Sequence, residues 1–320
     1  MDRVLLTDSI AEAGEKVLER AAEVVRAPDS DPATIRRYAA DVQGLITRSR
    51  LPEDIFSAAP QLRAVAIHGT GTDLVPLEQA TAHGVMVANL PGINAQSVAE
   101  YCAMAMLMLA RGVQAIVNTL KDRDWDSARA LGGGARELHG MTVGIIGVGE
   151  IGSRLAKIAA HGFGMRVLGN RRRQNLLPPE ARPATLDELL AGSDFVVLAC
   201  PLTPETRHLI NQKTLKLMKP SAWLINVGRG PVVKEAALVE ALRTKRLAGA
   251  MLDVYENYRL EPDNPLRTLD NVILTPHLAA VTRESRARAS VAAAEEMLRM
   301  LAGQRPINLV NPEALNAKRP

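Results

Sequence analysis

The chain has 320 residues, 47% hydrophobic and 23% charged, enough apolar material for a sizeable core in two domains. Its formal net charge of +4 is mild for this length: it suits small anionic ligands and lacks the concentrated basic footprint of a nucleic-acid-binding protein. Only two cysteines, Cys102 and Cys200, lie far apart in apolar surroundings, and the opening MDRVLLTDS has no apolar signal region. The expectation is a cytoplasmic protein without disulfides, metal site or membrane span.

Residues 4–6 read as a strand, 11–20 as a helix and 23–26 as a second strand. A helix over 31–38 and strands over 44–47 and 65–67 follow. Strands alternating with helices make an α/β lobe with a parallel sheet, complete before the glycine-rich stretch described below, so it is expected to be a separate domain. Ligands bind such sheets at the carboxyl ends of the strands. There Arg48-Ser49 follows one strand and His68-Gly69-Thr70-Gly71 the next. The glycines are expected to leave backbone amides free for a carboxylate, which makes Arg48, Ser49, Thr70 and Gly71 substrate-binding candidates; His68 reads as structural. A helix is expected from 95 to 122, its Met104, Met106 and Met108 spread around the circumference as at a buried interface. Residues 131–134 read as a flexible linker.

The organising stretch is VGIIGVGEIG, residues 143–152. An apolar strand leads into Gly147, Gly149 and Gly152, in G-x-G-x-x-G spacing, and then into a helix over 151–160. The first glycine permits a tight turn, the second lets backbone approach a pyrophosphate, and the third lets helix pack on strand. The next strand, 165–169, ends in Asn170-Arg171-Arg172-Arg173. An NAD site carries an acid there for the ribose hydroxyls; guanidinium groups suit a 2′-phosphate, so NADP is expected over NAD, with NAD still open. Four further apolar runs end in Cys200-Pro201, Gly228-Arg229-Gly230, Asp253 and Thr275-Pro276-His277. Arg229 suits a substrate carboxylate, and His277 can pass a proton to and from a carbonyl oxygen. A helix from 282 to about 303 and a strand-like 307–310 close the chain; the helix cannot make a core alone and is expected to rejoin the first domain.

The segments NLPGINAQSVAE (89–100), VGIIGVGEIG, PLTPETRHLI (201–210), INVGRG (225–230), LDVYE (252–256) and NVILTPH (271–277) together resemble the D-isomer-specific 2-hydroxyacid dehydrogenases, in the glyoxylate/hydroxypyruvate reductase-like branch. The resemblance implies two doubly wound parallel-sheet α/β domains. One is a Rossmann dinucleotide-binding domain (98–283), inserted in a flavodoxin-like substrate domain (1–97 plus 284–320). It further implies a homodimer and hydride transfer between NAD(P) and a small 2-oxo or 2-hydroxy acid. Arg229 matches the substrate-binding arginine and His277 the acid/base. Gly147, Gly149, Glu150, Ile151, Asn170, Arg171, Arg172, Cys200, Pro201, Thr206, Val227, Gly228, Asp253 and His277 fall at cofactor-binding positions. The family's catalytic Glu-Pro, five residues after the Asp of the LDV motif, is Tyr258-Arg259 here. Glu261-Pro262 lies three residues late and Glu256 two early, so Tyr258 or Glu261 is the expected partner of His277, with Tyr258 preferred because the spacing from Asp253 to Asn264-Pro265 is unchanged. Related same-fold activities on 3-phosphoglycerate, formate or phosphite, and a non-catalytic dinucleotide sensor, stay open.

Overall fold

The structure, a computed structural model, describes residues 1–317 and divides into two compact units, residues 1–94 with 281–317 and residues 95–280. The chain crosses between them three residues earlier each time than the sequence-based boundaries at 97/98 and 283/284.

The first unit is a five-stranded parallel sheet of β1 (Asp2–Leu6), β2 (Ala22–Arg26), β3 (Gly44–Thr47), β4 (Ala64–Ile67) and β5 (Met86–Ala88). Its spatial order is β2-β1-β3-β4-β5, the flavodoxin-like winding. Strands β3 and β4 are buried along their whole length, as a sheet covered on both faces requires. Helices α1 (Glu12–Leu18), α2 (Pro32–Ala39), α3 (Ile55–Ala58) and α4 (Leu77–Ala82) connect them. The C-terminal helix, Arg283–Leu301, is capped by Thr282 and packs into this unit. Its Ala293, Ala294 and Met297 share a core with Val4, Leu6 and Ile46. Gly14 of α1 meets Ser290 so closely that a Cβ there would lie 2.5 Å from its carbonyl oxygen. Residues 307–310 do not form a strand of the sheet: Leu309 makes a single antiparallel bridge to Ala88, and the Asn311 side chain takes up the Val87 amide.

The second unit begins with α5 (Ala95–Arg111), α6 (Val113–Asp122) and α7 (Trp125–Leu131). The single helix expected over 95–122 is broken at Gly112, whose φ of +61° is left-handed, and the two pieces bend by 58°. The expected linker at 131–134 is helical, because Asp124 caps α7 on the Ser127 amide and a 3₁₀ turn over Gly132–Gly134 continues it. Met106 is fully buried, whereas Met104 is 40% exposed, so burial of the methionines is one-sided.

Seven parallel strands follow: β6 (Thr142–Ile146), β7 (Arg166–Asn170), β8 (Ala181–Pro183), β9 (Phe195–Leu198), β10 (Trp223–Asn226), β11 (Gly249–Leu252) and β12 (Val272–Leu274). Helices α8 (Glu150–Lys157), α9 (Leu186–Gly192), α10 (Gln212–Leu215) and α11 (Glu235–Arg243) lie between them. The order β12-β11-β10-β9-β6-β7-β8 is a dinucleotide-binding winding, reversing between β6 and β9, where such sheets bind ligand. No single helix is long and apolar enough to cross a membrane among the described residues.

Candidate active site

The glycine turn after β6 is built from three different constraints. Gly147 has φ +92°, and a Cβ there would lie 2.4 Å from the Cys200 amide nitrogen, so the turn and the loop after β9 need glycine to touch. A Cβ on Gly152 would approach the Gly147 carbonyl oxygen to 2.9 Å, which is the close helix-on-strand contact. Gly149, at the start of α8, would meet nothing within 4 Å. The start of α8 therefore presents its first amides across open space, and these residues fit the pyrophosphate of a dinucleotide. Glu150 and Ile151 are the first residues of that helix, Glu150 exposed and Ile151 half-buried.

The Gly147 amide donates to the Asn170 carbonyl oxygen at 2.9 Å, bringing the end of β7 against the turn. The Asn170 side chain is tied back to Ala184. Arg171 is half-buried and donates to the Leu176 carbonyl oxygen at 2.6 Å, while Arg172 and Arg173 are exposed. On the other side of the switch point, Thr206 folds the Pro201 loop by donating to the Pro201 carbonyl oxygen at 2.7 Å. Cys200 is buried, and burial pushes its thiol up to about 11, so it is a packing group and not a thiolate.

Arg229, Asp253 and His277 follow β10, β11 and β12, three neighbouring strands, at their carboxyl ends. Backbone contacts stitch the three loops together. Asn226, 1% exposed, accepts the Gly228 amide on its side-chain oxygen and donates to the Arg229 carbonyl oxygen, shaping the Val227–Gly228–Arg229 turn. The Arg229 guanidinium donates to the Gly228 carbonyl oxygen at 2.9 Å. The Asp253 amide donates to the Asn226 carbonyl oxygen, and the His277 amide to the Asp253 carbonyl oxygen at 2.9 Å. A Cβ on Gly230 would lie 1.5 Å from the Tyr255 carbonyl oxygen, so the arginine turn rests directly on the segment after Asp253.

The Asp253 carboxylate is 1% exposed and is devoted to the histidine turn. It accepts the Thr275 hydroxyl at 2.7 Å, the Leu278 amide at 2.7 Å and the Ala279 amide at 2.8 Å. His277 between them has φ +56°, a left-handed conformation that costs a non-glycine residue about 1–2 kcal/mol and persists because these bonds over-determine it. The imidazole is at an exposed position. Asn226 and Thr275 carry no sequence signal beyond being polar groups at the ends of apolar strands.

The loop after Asp253 brings the Tyr258 ring edge-on to His277, centroids 6.2 Å apart. Glu261 is exposed, its carbonyl oxygen accepting the Asn264 amide. Glu256 is engaged elsewhere: His208 Nε2 lies 2.7 Å away, Lys234 3.2 Å, and the Glu235 amide donates to it at 2.8 Å. Burial works against its charge, but the Glu235 amide, His208 and Lys234 hold it below the usual carboxylate range. His208, within the 201–210 segment, is thus an anchor for this loop.

In the first unit, Asp8 fixes the turn after β3, accepting the Arg48 amide at 3.2 Å and the Ser49 hydroxyl at 3.0 Å. The loop after β4 departs from expectation at Gly69: its amide is not free but donates to the Ile67 carbonyl oxygen at 2.8 Å. Thr70 donates to the Leu90 carbonyl oxygen and is exposed, and Gly71 is half-buried. His68 is buried against Ser290, its Nε2 2.8 Å from the hydroxyl. Burial first, then the Arg48 charge, pushes this imidazole down to about 4, so it is neutral near pH 7.

Residues 103–279 match the model of the D-isomer specific 2-hydroxyacid dehydrogenase NAD-binding domain. A glyoxylate reductase of Aeropyrum pernix is 40% identical over 291 residues, covering 88% of this chain and 86% of the relative. Among solved structures, an NADPH-dependent glyoxylate/hydroxypyruvate reductase of Sinorhizobium meliloti superposes with a TM-score of 0.85 at 29% identity, over the whole of both chains. An NAD-dependent formate dehydrogenase of Staphylococcus aureus superposes with a TM-score of 0.84 at 27% identity, over 95% of this chain and 97% of its own.

Proposed function

Because the chain belongs to the D-isomer specific 2-hydroxyacid dehydrogenase family, we propose that it reduces glyoxylate- or hydroxypyruvate-like 2-oxo acids to D-2-hydroxy acids with NADPH as the preferred cofactor. The broader activity is that of the family: an NAD(P)-dependent oxidoreductase acting between a nicotinamide cofactor and a small 2-oxo or D-2-hydroxy acid. The observation that carries the reading is the stitching of Arg229, Asp253 and His277 into one cluster at the carboxyl edge of a sheet that also carries the glycine turn.

Bound there, the nicotinamide supplies a hydride for the carbonyl carbon. Arg229 holds the substrate carboxylate through paired N–H donors and polarises the adjacent carbonyl. His277 gives a proton to the carbonyl oxygen and recovers it in the reverse direction. Tyr258 lines the histidine without contributing a charge, at the position where the family resemblance places a carboxylate. In the first unit, the turns carrying Arg48-Ser49 and Thr70-Gly71 lie at the carboxyl ends of β3 and β4, the edge at which such sheets bind ligands.

NADPH is preferred because no acid stands among Asn170, Arg171, Arg172 and Arg173, where a ribose 2′-phosphate would lie and a carboxylate would repel it. A homodimer is part of the same reading. Helix α6 has no buried residue, and Val113, Val117 and Leu120 on it are exposed apolar side chains, as are Met104 and Leu107 of α5, the composition expected where a second copy packs. Light scattering on the purified chain tests this, a monomer at micromolar concentration being the contrary result.

The functional test is a panel of 2-oxo acids followed by consumption of NADPH and of NADH. Turnover of glyoxylate or hydroxypyruvate, faster with NADPH at low cofactor, is expected. Tight cofactor binding with no turnover of any acid overturns the reading in favour of a dinucleotide sensor.

A further inference from the structure

We propose that Tyr101, on α5, is a positioning residue for His277, acting through Thr275 and the Asp253 carboxylate. The proposal rests on the assignment of His277 as the proton donor made above.

The direction of each hydrogen bond follows from what the groups can do. An ionised carboxylate only accepts, so the Thr275 hydroxyl spends its single proton on Asp253 at 2.7 Å. The Thr275 oxygen is therefore the acceptor in its contact with the Tyr101 hydroxyl, and Tyr101 is the donor. Burial, reinforced by the Asp253 charge, raises the Tyr101 phenol above its ordinary value, which keeps its proton in place. The chain of donors runs one way, from Tyr101 to Thr275 to Asp253, and each bond polarises the next.

Its far end is the backbone on either side of His277. The same carboxylate that binds Thr275 accepts the Leu278 and Ala279 amides, so residues 275 and 278–279 are held on one point and the chain between must double back. That closure is what fixes the left-handed φ at His277. Tyr255 grips the same residue from a second side, its hydroxyl 2.8 Å from the Thr275 carbonyl oxygen. Tyr255 belongs to the loop that follows Asp253, whereas Tyr101 is 174 residues distant from Thr275 and ties the turn to a separate helix. Without that external tie the turn can shift as a body with its own loop. A shift of about 1 Å at a catalytic group is enough to cost roughly a hundredfold in rate.

The test is a cycle of conservative variants with two independent readouts. Tyr101→Phe is expected to lower kcat about tenfold while KM for the 2-oxo acid and the Kd for cofactor change by less than about twofold, the size of loss that one hydrogen bond supports. Thr275→Val, which removes both bonds, is expected to lower kcat about a hundredfold, and Thr275→Ser to recover most of it. Adding Tyr101→Phe to Thr275→Val should cost nothing further, because the residue through which it acts is gone. The second readout is a crystal structure of Thr275→Val, in which residue 277 is expected to leave the left-handed region. Wild-type kcat in Tyr101→Phe, loss of cofactor affinity in step with kcat, or φ at 277 unchanged in the Thr275→Val crystal overturns the proposal. If the wild-type chain reduces no 2-oxo acid, the functional reading falls, and a crystal structure of Tyr101→Phe then decides whether the tyrosine holds the turn, an unmoved residue 277 overturning the proposal.

Discussion

Gly230→Ala puts the smallest possible side chain where the arginine turn touches the segment after Asp253. The added Cβ would lie 1.5 Å from the Tyr255 carbonyl oxygen, 1.9 Å from its carbon and 2.7 Å from the Glu256 amide nitrogen. Ordinary contact begins near 3.4 Å, so the two backbones must separate by about 2 Å, and neither partner is the yielding end of a side chain. Part of that movement passes to the histidine turn, because Tyr255 also donates to the Thr275 carbonyl oxygen. A displacement of this size between Arg229 and His277 predicts a fall in kcat/KM of about a hundredfold or more. Overpacking of buried backbone adds about 2–3 kcal/mol of lost stability. The glycine turn after β6 is a separate feature of the sheet, so the loss of cofactor affinity, followed by fluorescence titration, should be smaller than the loss of kcat/KM. Gly149→Ala is the matching control: its Cβ enters open space, so stability is kept while cofactor binding weakens. Wild-type kcat/KM in Gly230→Ala, or a loss carried wholly by cofactor affinity, would refute the reasoning.

The double variant Arg171→Ala/Arg172→Ala should raise KM for NADPH by about 10- to 100-fold and leave NADH within about threefold, the worth of charge-assisted bonds to a phosphate. Equal losses with the two cofactors would contradict the 2′-phosphate reading. Tyr258→Glu places a carboxylate beside His277, which stabilises the imidazolium, so the alkaline limb of the reduction profile should move up by about half a unit to one unit; no movement argues against Tyr258 facing the histidine. Finally, His68 has a folded-state value of about 4, below the ordinary 6.5, so the unfolded chain takes up its proton first as pH falls. The stability this neutral histidine allows is fully present above pH 6.5 and is lost between there and about pH 4. The loss amounts to about 3 kcal/mol, at 1.36 kcal/mol per unit over the 2.5-unit gap. Urea unfolding at pH 7 and pH 4.5 should show the drop, and His68→Gln should flatten it; parallel drops in both proteins would count against this origin.

Short apolar runs and the glycine triplet made most of the strands legible, because a buried parallel strand leaves little choice of residue: Phe195–Leu198 and Trp223–Asn226 are such runs, whereas the three-residue strands Met86–Ala88 and Ala181–Pro183 gave no such signal and both windings were implied by the family resemblance. What the residues hid was mostly backbone geometry and long-range contact. The apolar periodicity of 95–122 runs unbroken across Gly112, and only its positive φ shows that the helix turns there. The flexible look of three consecutive glycines at 132–134 concealed a helical cap set by Asp124. In the site, Arg229 and His277 stood out because each is a polar group at the end of an apolar strand. The groups that orient them did not: Tyr101 is one polar residue within an apolar helix, and its partner lies 174 positions away. Gly69 was misleading in the other direction, since its amide is already used locally by Ile67.

The central claim is that His277 supplies the proton while Arg229 holds the acid, and it is tested most directly by single-turnover consumption of NADPH with glyoxylate in wild type, His277→Asn and Arg229→Gln. The histidine variant should lose about a thousandfold in the rate of the chemical step with cofactor binding intact, and the arginine variant should lose substrate saturation foremost. A His277→Asn enzyme within tenfold of the wild-type rate would contradict it.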